Sequence, residues 1–494
     1  MKHPLACLTL ALFASAVPAL AEEAANPFVK KPAAHQPLPP PGASFASLVE
    51  NFLVPPDLLD DWLRDNPLKD DATALRNAVQ AWVVAGKAQS DHSTLTLGTA
   101  GRESACDSII EKIYPTEFYP GGVGAWPWPT AFDTRNLGHT LSSGVTKVDE
   151  TESTWAKLEL VEMLSSDSSQ PLIEQTRQPS DTFLPRVRAM DIKQHDADAP
   201  ADSNDPFASP SAPSTPVDFT LPHGVVFSPG VYHLAGRFDP IPDDTSGNKL
   251  TRLVFYRSEI AAPPEKSANP APAPKRASFR VLRVSLPAFS AWIIAHSPLS
   301  AKTDAWAAAE NWRTEGQTEN IGELSSTVRE SATNTMSNVI EHIYPTEVEP
   351  GTDTTLVEKW EEGKKKDGKD GVATMSRYKV TARPGLEGAG LATAFDTRNL
   401  GTTVESLITR EGSGFLVRCS YDRVRLLGES ISHRIKVGDE WIPDYKMPIF
   451  TATRLASTIR VAPSQWTLLG ETSEFLKSEM VDRDHCLLVF VKVD

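Results

Sequence analysis

The chain has 494 residues, of which 64 are acidic and 49 are basic, so its formal net charge at pH 7 is -15. This excess of negative charge disfavours nucleic acid as a partner, because nucleic-acid binding requires a basic face. It also disfavours electrostatic docking on anionic lipid, and we attribute the acidity to solubility.

The first 21 residues have the pattern of a secretory signal peptide. Lys2 precedes an apolar stretch from about Leu5 to Leu20, and Ala19-Leu20-Ala21 is a small-x-small cleavage site. We therefore predict cleavage after Ala21 and export to the periplasm or the outer membrane. Residues 22–44 are rich in Pro and Ala, which predicts an extended tether. No later apolar run reaches the ~20 residues that a transmembrane helix needs.

A block of nine residues, Thr-Ala-Phe-Asp-Thr-Arg-Asn-Leu-Gly, occurs unchanged at 130–138 and at 393–401. Ile-Tyr-Pro-Thr-Glu also occurs twice, at 113–117 and 343–347. Repetition at so long a period indicates duplicated domains. We predict a first domain over residues 45–260 and a second over 278–494. Between them, the Pro-rich residues 261–277 predict a linker.

Two segments of the first predicted domain have no counterpart in the second. Asp, Ser and Pro alternate over residues 194–217, and this composition predicts a disordered insertion. The Trp126-Pro127-Trp128 loop is also confined to the first domain, and its two tryptophans are candidate contact residues for a partner. The alternative is a loop that packs on the sheet.

Helical and strand patterns follow one another in the same order in both domains. Apolar residues recur at helical spacing from Asp70 to Ala85, and a matching helix is predicted from about Thr303 to Glu315. The pattern then turns to β, with predicted strands at 338–344, 415–427, 457–461, 466–469 and 486–493. The strands at 457–461 and 466–469 are predicted to form a hairpin. These features predict an α+β fold, mainly antiparallel β, in which each domain has one N-terminal helix packed on a sheet.

The nine-residue block permits a functional and a structural interpretation. In the functional one, charged and amide side chains of both copies form a site, and these candidates are Asp133, Arg135, Asn136, Asp396, Arg398 and Asn399. In the structural one, Phe132 and Leu137 alternate with polar residues on a half-buried strand, and the Asp and Arg pair on one of its faces. The structural interpretation is favoured, because packing motifs must persist in both copies of a duplication whereas catalytic groups need only one.

The sequence contains no catalytic or metal-binding signature. HxH, HExxH, GxSxG and phosphate-binding Gly-rich motifs are all missing. We therefore predict a protein that is not an enzyme and needs no cofactor. Beyond the predicted signal peptide, an exported chain can pair two of its three cysteines. Cys419 and Cys486 share a domain and are the favoured pair, with three buried thiols, Cys106 included, as the alternative.

Several short motifs of the second domain follow a recognisable order. Thr-Arg-Asn-Leu-Gly-Thr-Thr-Val (397–404) begins a strand, and Met-Pro-Ile-Phe-Thr-Ala-Thr-Arg (447–454) follows. Leu468-Leu469-Gly470 comes next, and the chain closes on Leu-Leu-Val-Phe-Val (487–491). This order resembles the C-terminal β-domain of bacterial secretins, the outer-membrane channels of type II and type III secretion systems and of type IV pili. The resemblance covers most of the chain from about residue 338 and is weaker in the first domain.

The resemblance implies a structural or assembly component of the cell envelope, with envelope or secretion-apparatus proteins as partners and a homo-oligomer as one possible state. Sheet edges are natural docking sites for such partners. The second hypothesis is a periplasmic or surface-exposed module that binds glycan or protein.

Overall fold

The computed structural model describes residues 42–119, 128–148, 151–163, 187–192, 225–242, 249–263, 270–349, 354–361, 374–381, 391–437 and 440–494. The predicted signal peptide, nearly all of the predicted tether, the 194–217 insertion and Trp126 lie outside these residues.

Strands dominate the described chain. In the first half they are β1 (Ser44–Val54), β2 (Gln89–Thr99), β3 (Ser104–Tyr119), β4 (Trp128–Val148), β5 (Thr151–Met163), β6 (Val187–Ile192), β7 (Val225–Phe227), β8 (Tyr232–Pro242) and β9 (Lys249–Ala261). In the second half they are β10 (Arg276–Ser285), β11 (Thr318–Thr327), β12 (Thr333–Glu349), β13 (Thr354–Glu361), β14 (Thr374–Thr381), β15 (Leu391–Glu411), β16 (Gly414–Val437), β17 (Glu440–Val461), β18 (Thr467–Phe475) and β19 (Val481–Val493). The helices are α1 (Pro56–Asp65), α2 (Thr73–Val84), α3 (Leu286–Ala295) and α4 (Ala301–Thr314). The prediction of a mainly antiparallel β protein with helices is confirmed.

The strands form two large sheets. The order in the first, which we call the helix-covered sheet, is β11-β10-β19-β18-β2-β1-β9-β8. The order in the second, the long-strand sheet, is β12-β15-β16-β17-β3-β4-β5-β6, and β7 also pairs with β5. A separate ribbon consists of β13 and β14. Both large sheets therefore contain strands from both halves of the chain.

The main hydrophobic core lies between the two sheets and beneath the helices. Phe289 of α3, Phe490 of β19 and Phe415 of β16 belong to one buried cluster. The apolar run at 487–491 is buried throughout. A run without alternation is typical of a strand covered on both faces, here by helices on one side and the long-strand sheet on the other.

The two halves match in backbone irregularities as well as in sequence. The register shifts between Asn51 and Phe52 on the β1–β2 pair, and between Val281 and Leu282 on the β10–β11 pair. A shift after Leu234 on β8 has its counterpart after Leu468 on β18. These shared shifts and the repeated blocks define which positions correspond between the halves.

Corresponding strands occur in the same order in each half of each sheet. In the helix-covered sheet the second half contributes β11-β10-β19-β18, and the first half contributes β2-β1-β9-β8. The halves meet where β18 pairs with β2 and where β17 pairs with β3. We call these two pairings together the seam. The corresponding strands of the two halves follow the same order across each sheet. The seam therefore joins the last strand of the second half's set to the first strand of the first half's set.

The helix prediction is corrected by the structure, because the described residues of each half form two helices instead of one. The additional helices are α1 and α3, and each has a proline within its first two positions, where the missing N–H costs nothing. The Ser285 hydroxyl caps α3 by accepting a hydrogen bond from the Ala288 N–H at 3.4 Å. Among the described helices, none is long and apolar enough to cross a membrane.

Two strand predictions are also wrong. The strand predicted at 338–344 does not end before Pro345, because the register shifts directly after this proline and β12 continues to Glu349, as β3 continues past Pro115 to Tyr119. Such a bulge leaves the imino nitrogen outside the hydrogen-bond ladder. The predicted hairpin across Pro463 does not form either, because β17 belongs to the long-strand sheet and β18 to the helix-covered sheet.

The last residue of the nine-residue block explains part of its repetition. Gly138 and Gly401 have φ angles of +127° and +130°, a region that side chains rarely adopt. A Cβ at these positions would lie 2.3 Å from the Ser108 carbonyl oxygen and 2.0 Å from the Asn338 carbonyl oxygen. Both glycines are therefore required by close approach of the neighbouring strand.

Candidate interaction site

The nine-residue block lies in the first half of β4 and of β15, and it has the same local geometry in both. The Asp133 and Asp396 carboxylates each accept a hydrogen bond from the next backbone N–H, at 2.7 Å in both cases. Asn136 and Asn399 are exposed. The aspartates of the block thus stabilise their own backbone. The two copies of the block lie on either side of β12, because Glu347 pairs with Ala394 of one copy and with Ala131 of the other.

The arginines of the block, in contrast, differ between the halves. Arg398 is buried, and its Nη2 donates to Glu111 Oε1 at 2.6 Å. Arg135, at the corresponding position, is exposed. Glu341, the counterpart of Glu111, is exposed as well. The same Arg–Glu combination is therefore joined once, across the seam, whereas both side chains at the other corresponding positions are exposed.

The Arg398–Glu111 pair belongs to a larger charged cluster inside the curved long-strand sheet. Arg454 Nη2 also donates to Glu111 Oε1, at 2.7 Å, and Arg454 Nε lies 3.6 Å from Asp422 Oδ1. Burial raises the pKa of the Asp422 carboxyl, although Arg454 and Arg398 oppose the rise. The cluster connects β15, β16 and β17 of the second half to β3 of the first.

Sequence reasoning missed Glu111, Asp422 and Arg454. One signal pointed to Glu111: the second repeated block extends upstream to it, because Glu-x-Ile-Tyr-Pro-Thr-Glu occurs at both 111–117 and 341–347. Nothing in the local pattern distinguishes Asp422 or Arg454 from other charged strand residues. Their role depends on sheet curvature, which brings strands that are not neighbours within reach.

Apolar side chains show the same difference between the seam and the outer end. On β3, Ile109, Ile110 and Ile113 are only 4%, 2% and 4% exposed. Their counterparts on β12 are Val339, Ile340 and Ile343, which are 36%, 75% and 62% exposed. Full burial of one such side chain stabilises a protein by about 1.5–3 kcal/mol. The outer edge of β12 therefore presents apolar surface of the kind that the seam covers at β3.

The helix-covered sheet also has charged groups buried at the seam. Burial raises the pKa of the Glu471 carboxyl on β18 to about 8, and its Oε2 accepts a hydrogen bond from the Ser93 hydroxyl of β2 at 3.0 Å. Nearby, Arg483 of β19 donates to Asp91 of β2 at 3.0 Å. The counterpart of Glu471 at the outer end is Arg237 on β8, whose side chain is 42% exposed.

A pair of histidines packs between the sheets in the first half. The rings of His92 and His139 stack with their centroids 3.4 Å apart, and both are buried. Asn51 Nδ2 lies 3.3 Å from His139 Nδ1. Burial lowers the pKa of His92 to about 3, so the ring is neutral at physiological pH. Because both rings are buried, we interpret the pair as packing between β2 and β4.

The remaining candidates are the tryptophans Trp126 and Trp128 and the three cysteines. Trp128 is the first residue of β4 and pairs with Tyr119, while Trp126 lies outside the described residues. Cys106, Cys419 and Cys486 are buried free thiols. The favoured Cys419–Cys486 disulfide is therefore not formed: Cys419 lies on β16 of one sheet and Cys486 on β19 of the other. Burial raises the pKa of Cys419 to about 12, which makes this thiol unreactive.

The described ranges contain no group of three or more His, Cys, Asp or Glu side chains placed to hold a metal ion. The arrangement supports association with another chain by pairing of edge strands. Backbone hydrogen bonds, apolar side chains and an Arg–Glu pair are combined at the seam, and exposed apolar side chains recur on β12 at the edge of the long-strand sheet.

No protein-family model matches the sequence, and no curated protein matches it. Two solved structures share weak similarity. The secretin-domain β-barrel of InvG from the Salmonella SPI-1 injectisome is 8% identical with a TM-score of 0.20, and the match covers 45% of this chain. The type IV competence pilus secretin PilQ of V. cholerae is 8% identical with a TM-score of 0.15, and the match covers 92% of this chain. In each case the match spans 62% of the solved chain.

The two arginines of the block provide a matched test of the seam. We expect Arg398→Ala to lower the free energy of unfolding by at least about 2 kcal/mol, because it leaves the buried Glu111 with one partner fewer. Arg135→Ala changes an exposed residue and is expected to cost no more than about 0.5 kcal/mol. Urea unfolding of the isolated single chain measures both. Equal losses in the two variants would contradict the assignment of Arg398 to a buried seam pair.

A pH series tests the buried carboxyl of the seam. In the folded protein Glu471 stays protonated up to about pH 8, whereas in the unfolded chain it ionises near its ordinary value of 4.5. Rising pH between these values therefore favours unfolding, by up to about 1.4 kcal/mol per pH unit.

Glu471→Gln removes this titration while keeping the side-chain shape. The variant is expected to gain stability over the wild type steadily from pH 5 to pH 8, as measured by urea unfolding at several pH values. Glu405→Gln, at an exposed position of β15, is the control, and its stability difference from the wild type should stay constant across the pH range. A difference between Glu471→Gln and the wild type that does not change with pH would refute burial of the carboxyl.

Proposed function

We propose that this protein is a non-enzymatic structural component of a bacterial cell-envelope assembly, built from two tandem copies of a degenerate secretin-like β-domain. It binds other subunits through the outer edges of its sheets. The observation that carries the proposal is the apolar edge of β12, where Ile340 is 75% exposed and Ile343 is 62% exposed.

An apolar edge strand of this kind favours binding of another chain. Soluble proteins protect edge strands with charges, prolines or covering elements, because an exposed apolar edge pairs readily with another chain. Within the described chain, β12 has β15 on one side, and on its other side it meets only β4, at the single pair Glu347 and Ala131. Strand addition at such an edge supplies backbone hydrogen bonds and side-chain contacts together.

The proposed duplication is supported by the match between the halves. Each half contributes four strands to the helix-covered sheet, in the corresponding order, and the register shifts recur at corresponding residues. We propose that residues 45–260 and 278–494 are the two copies. The secretin-like lineage is supported by the order of the motifs at 397–404, 447–454, 468–470 and 487–491.

The proposed location follows from the beginning of the sequence. The apolar stretch and the Ala19-Leu20-Ala21 site support export with cleavage after Ala21. Residues 22–44 would then tether the folded part to the rest of an assembly in the periplasm or at the outer membrane. Envelope or secretion-apparatus proteins are the expected partners.

Substitution at the apolar edge tests this function. With a C-terminal affinity tag, the wild-type protein is expected in the bacterial envelope fraction and should retrieve other envelope proteins from detergent extracts. Ile340→Lys should remain folded, because the residue is exposed, and should lose most of this retrieval. Val84→Lys, at the C-terminal end of α2 and 78% exposed, is the control and should retain it. Recovery of the wild type only as a free protein outside the envelope fraction would refute the proposal, as would unchanged retrieval by Ile340→Lys.

A further inference from the structure

We propose that this protein binds a phosphate group in a cluster of four cationic side chains, at the end of the two sheets where β1 and β16 begin and β2 and β17 end. We call Arg102, Lys302, Arg418 and Arg460 the cationic cluster. Its ligand is inorganic phosphate or the phosphate monoester of a larger molecule. The inference goes beyond the proposed function and does not depend on it.

Strand register places two of the arginines side by side on the long-strand sheet. Arg418 of β16 pairs with Thr458 of β17. Two positions further along, Leu416 pairs with Arg460. Directly paired residues point to the same face of a sheet, as do residues two apart on one strand. Arg418 and Arg460 are therefore diagonal neighbours on one face, within reach of each other's long side chains.

Two further cations reach this place from outside the sheet. Arg102 lies in the turn between β2 and β3, and burial, followed by the positive charge of Arg418, lowers the pKa of its guanidinium. Lys302 lies in the first turn of α4. Burial lowers the pKa of its amine to about 8, and the Arg460 charge adds to this decrease while Glu411 opposes it. Four separate elements thus bring positive charge to one place.

Acidic side chains neutralise only part of this charge. Arg460 donates to both carboxylate oxygens of Glu411 at 3.1 Å, and its Nη1 donates to Ser44 Oγ at 3.1 Å. Within the described part of the chain, Arg418 forms no ion pair and no side-chain hydrogen bond. Glu405 lies diagonally opposite Arg418 on β15 and is exposed. The cationic cluster therefore carries an excess of positive charge.

An excess of positive charge is unexpected in a protein whose net charge is -15. Arg102 and Arg418 are both half-buried. Like charges that lie close together repel each other, and the repulsion is stronger where water is partly excluded. An anion between the two guanidiniums removes this repulsion. It also accepts charge-assisted hydrogen bonds, which are roughly twice as strong as neutral ones.

The donor groups of the cationic cluster favour a phosphate over other anions. A guanidinium presents its N–H groups as a planar fork that matches two oxygens of a phosphate or a carboxylate. Three guanidiniums and one amine offer more donors than the two oxygens of a carboxylate can accept, whereas a phosphate monoester has three terminal oxygens. A long polyanion is disfavoured, because the chain as a whole is acidic.

Phosphate binding tests the site directly. At low ionic strength the full-length protein should bind inorganic phosphate saturably in isothermal titration calorimetry. Phosphate should also raise the midpoint of thermal unfolding relative to sodium chloride at equal ionic strength, because a ligand of the folded state stabilises it. Arg418→Gln is expected to raise the Kd for phosphate at least about tenfold. Arg313→Gln, at an exposed position of α4, is the control and should bind like the wild type.

Urea unfolding without phosphate separates binding from a structural role. An arginine that holds the fold together would destabilise the protein when replaced. In a binding site, Arg418→Gln relieves repulsion of Arg102, so the free energy of unfolding should be unchanged or higher. Arg418→Lys keeps the charge but loses the planar fork, and its affinity for phosphate should lie between those of the wild type and Arg418→Gln.

A flotation assay distinguishes the two sources of phosphate. Vesicles of equimolar phosphatidylcholine and phosphatidic acid should bind the wild type, and not Arg418→Gln, if the ligand is a lipid headgroup. Binding of inorganic phosphate without binding of vesicles identifies a soluble ligand, and either result supports the site. A wild type that binds neither probe, equal binding by wild type and Arg418→Gln, or destabilisation of Arg418→Gln without phosphate would overturn the inference.

Discussion

The structure depends on the pairing of edge strands. Backbone N–H and C=O groups at a sheet edge need partners, and an apolar edge strand is exposed to water unless another strand covers it. The seam meets this requirement for one end of each half, by placing β18 against β2 and β17 against β3. Burial of Glu111 and Glu471 at the seam follows from this pairing, and so does the exposure of their counterparts Glu341 and Arg237.

The two halves also show how one position in a fold can use different chemistry. In the first half Glu50 of β1 accepts hydrogen bonds from the buried Arg76 of α2, which also donates to Ser290 of α3 at 2.9 Å. In the second half Arg280 occupies the position of Glu50, and its guanidinium lies 4.9 Å from the centre of the Trp466 ring. The ion pair with α2 in one half is thus replaced in the other by a cation–π contact, which includes Trp306 of α4, while Arg280 forms its ion pair with Glu323 of β11. Because Arg76 reaches across to Ser290, the helices contribute to holding the halves together.

Much of the strand content could be predicted from the sequence, and the arrangement of the strands could not. Repeated blocks and apolar runs at 415–427 and 486–493 identify strands, because side-chain period and residue type are local properties. The bulge after Pro115 or Pro345 and the assignment of β17 and β18 to different sheets depend on tertiary pairing. The prediction of a Cys419–Cys486 disulfide assumed that residues of one half lie together, whereas each half is divided between two sheets. The interaction site was the hardest to predict, because Arg135 and Arg398 have identical sequence surroundings and differ only in what lies opposite them.

The central claim is that the two halves are joined by paired edge strands at the seam, and cysteine cross-linking within one chain measures this most directly. The native cysteines of the described chain are buried free thiols, so engineered pairs should react with little background. Ala105 of β3 and Ala456 of β17 are partners across the seam, and neither is fully buried. Ala105→Cys combined with Ala456→Cys should therefore form a disulfide within one chain under mild oxidation. Ala105→Cys combined with Glu405→Cys should not, because β16 and β17 separate β15 from β3 and place the two positions roughly 14 Å apart. A folded Ala105→Cys, Ala456→Cys protein that forms no internal disulfide, or equal cross-linking by both pairs, would contradict the account.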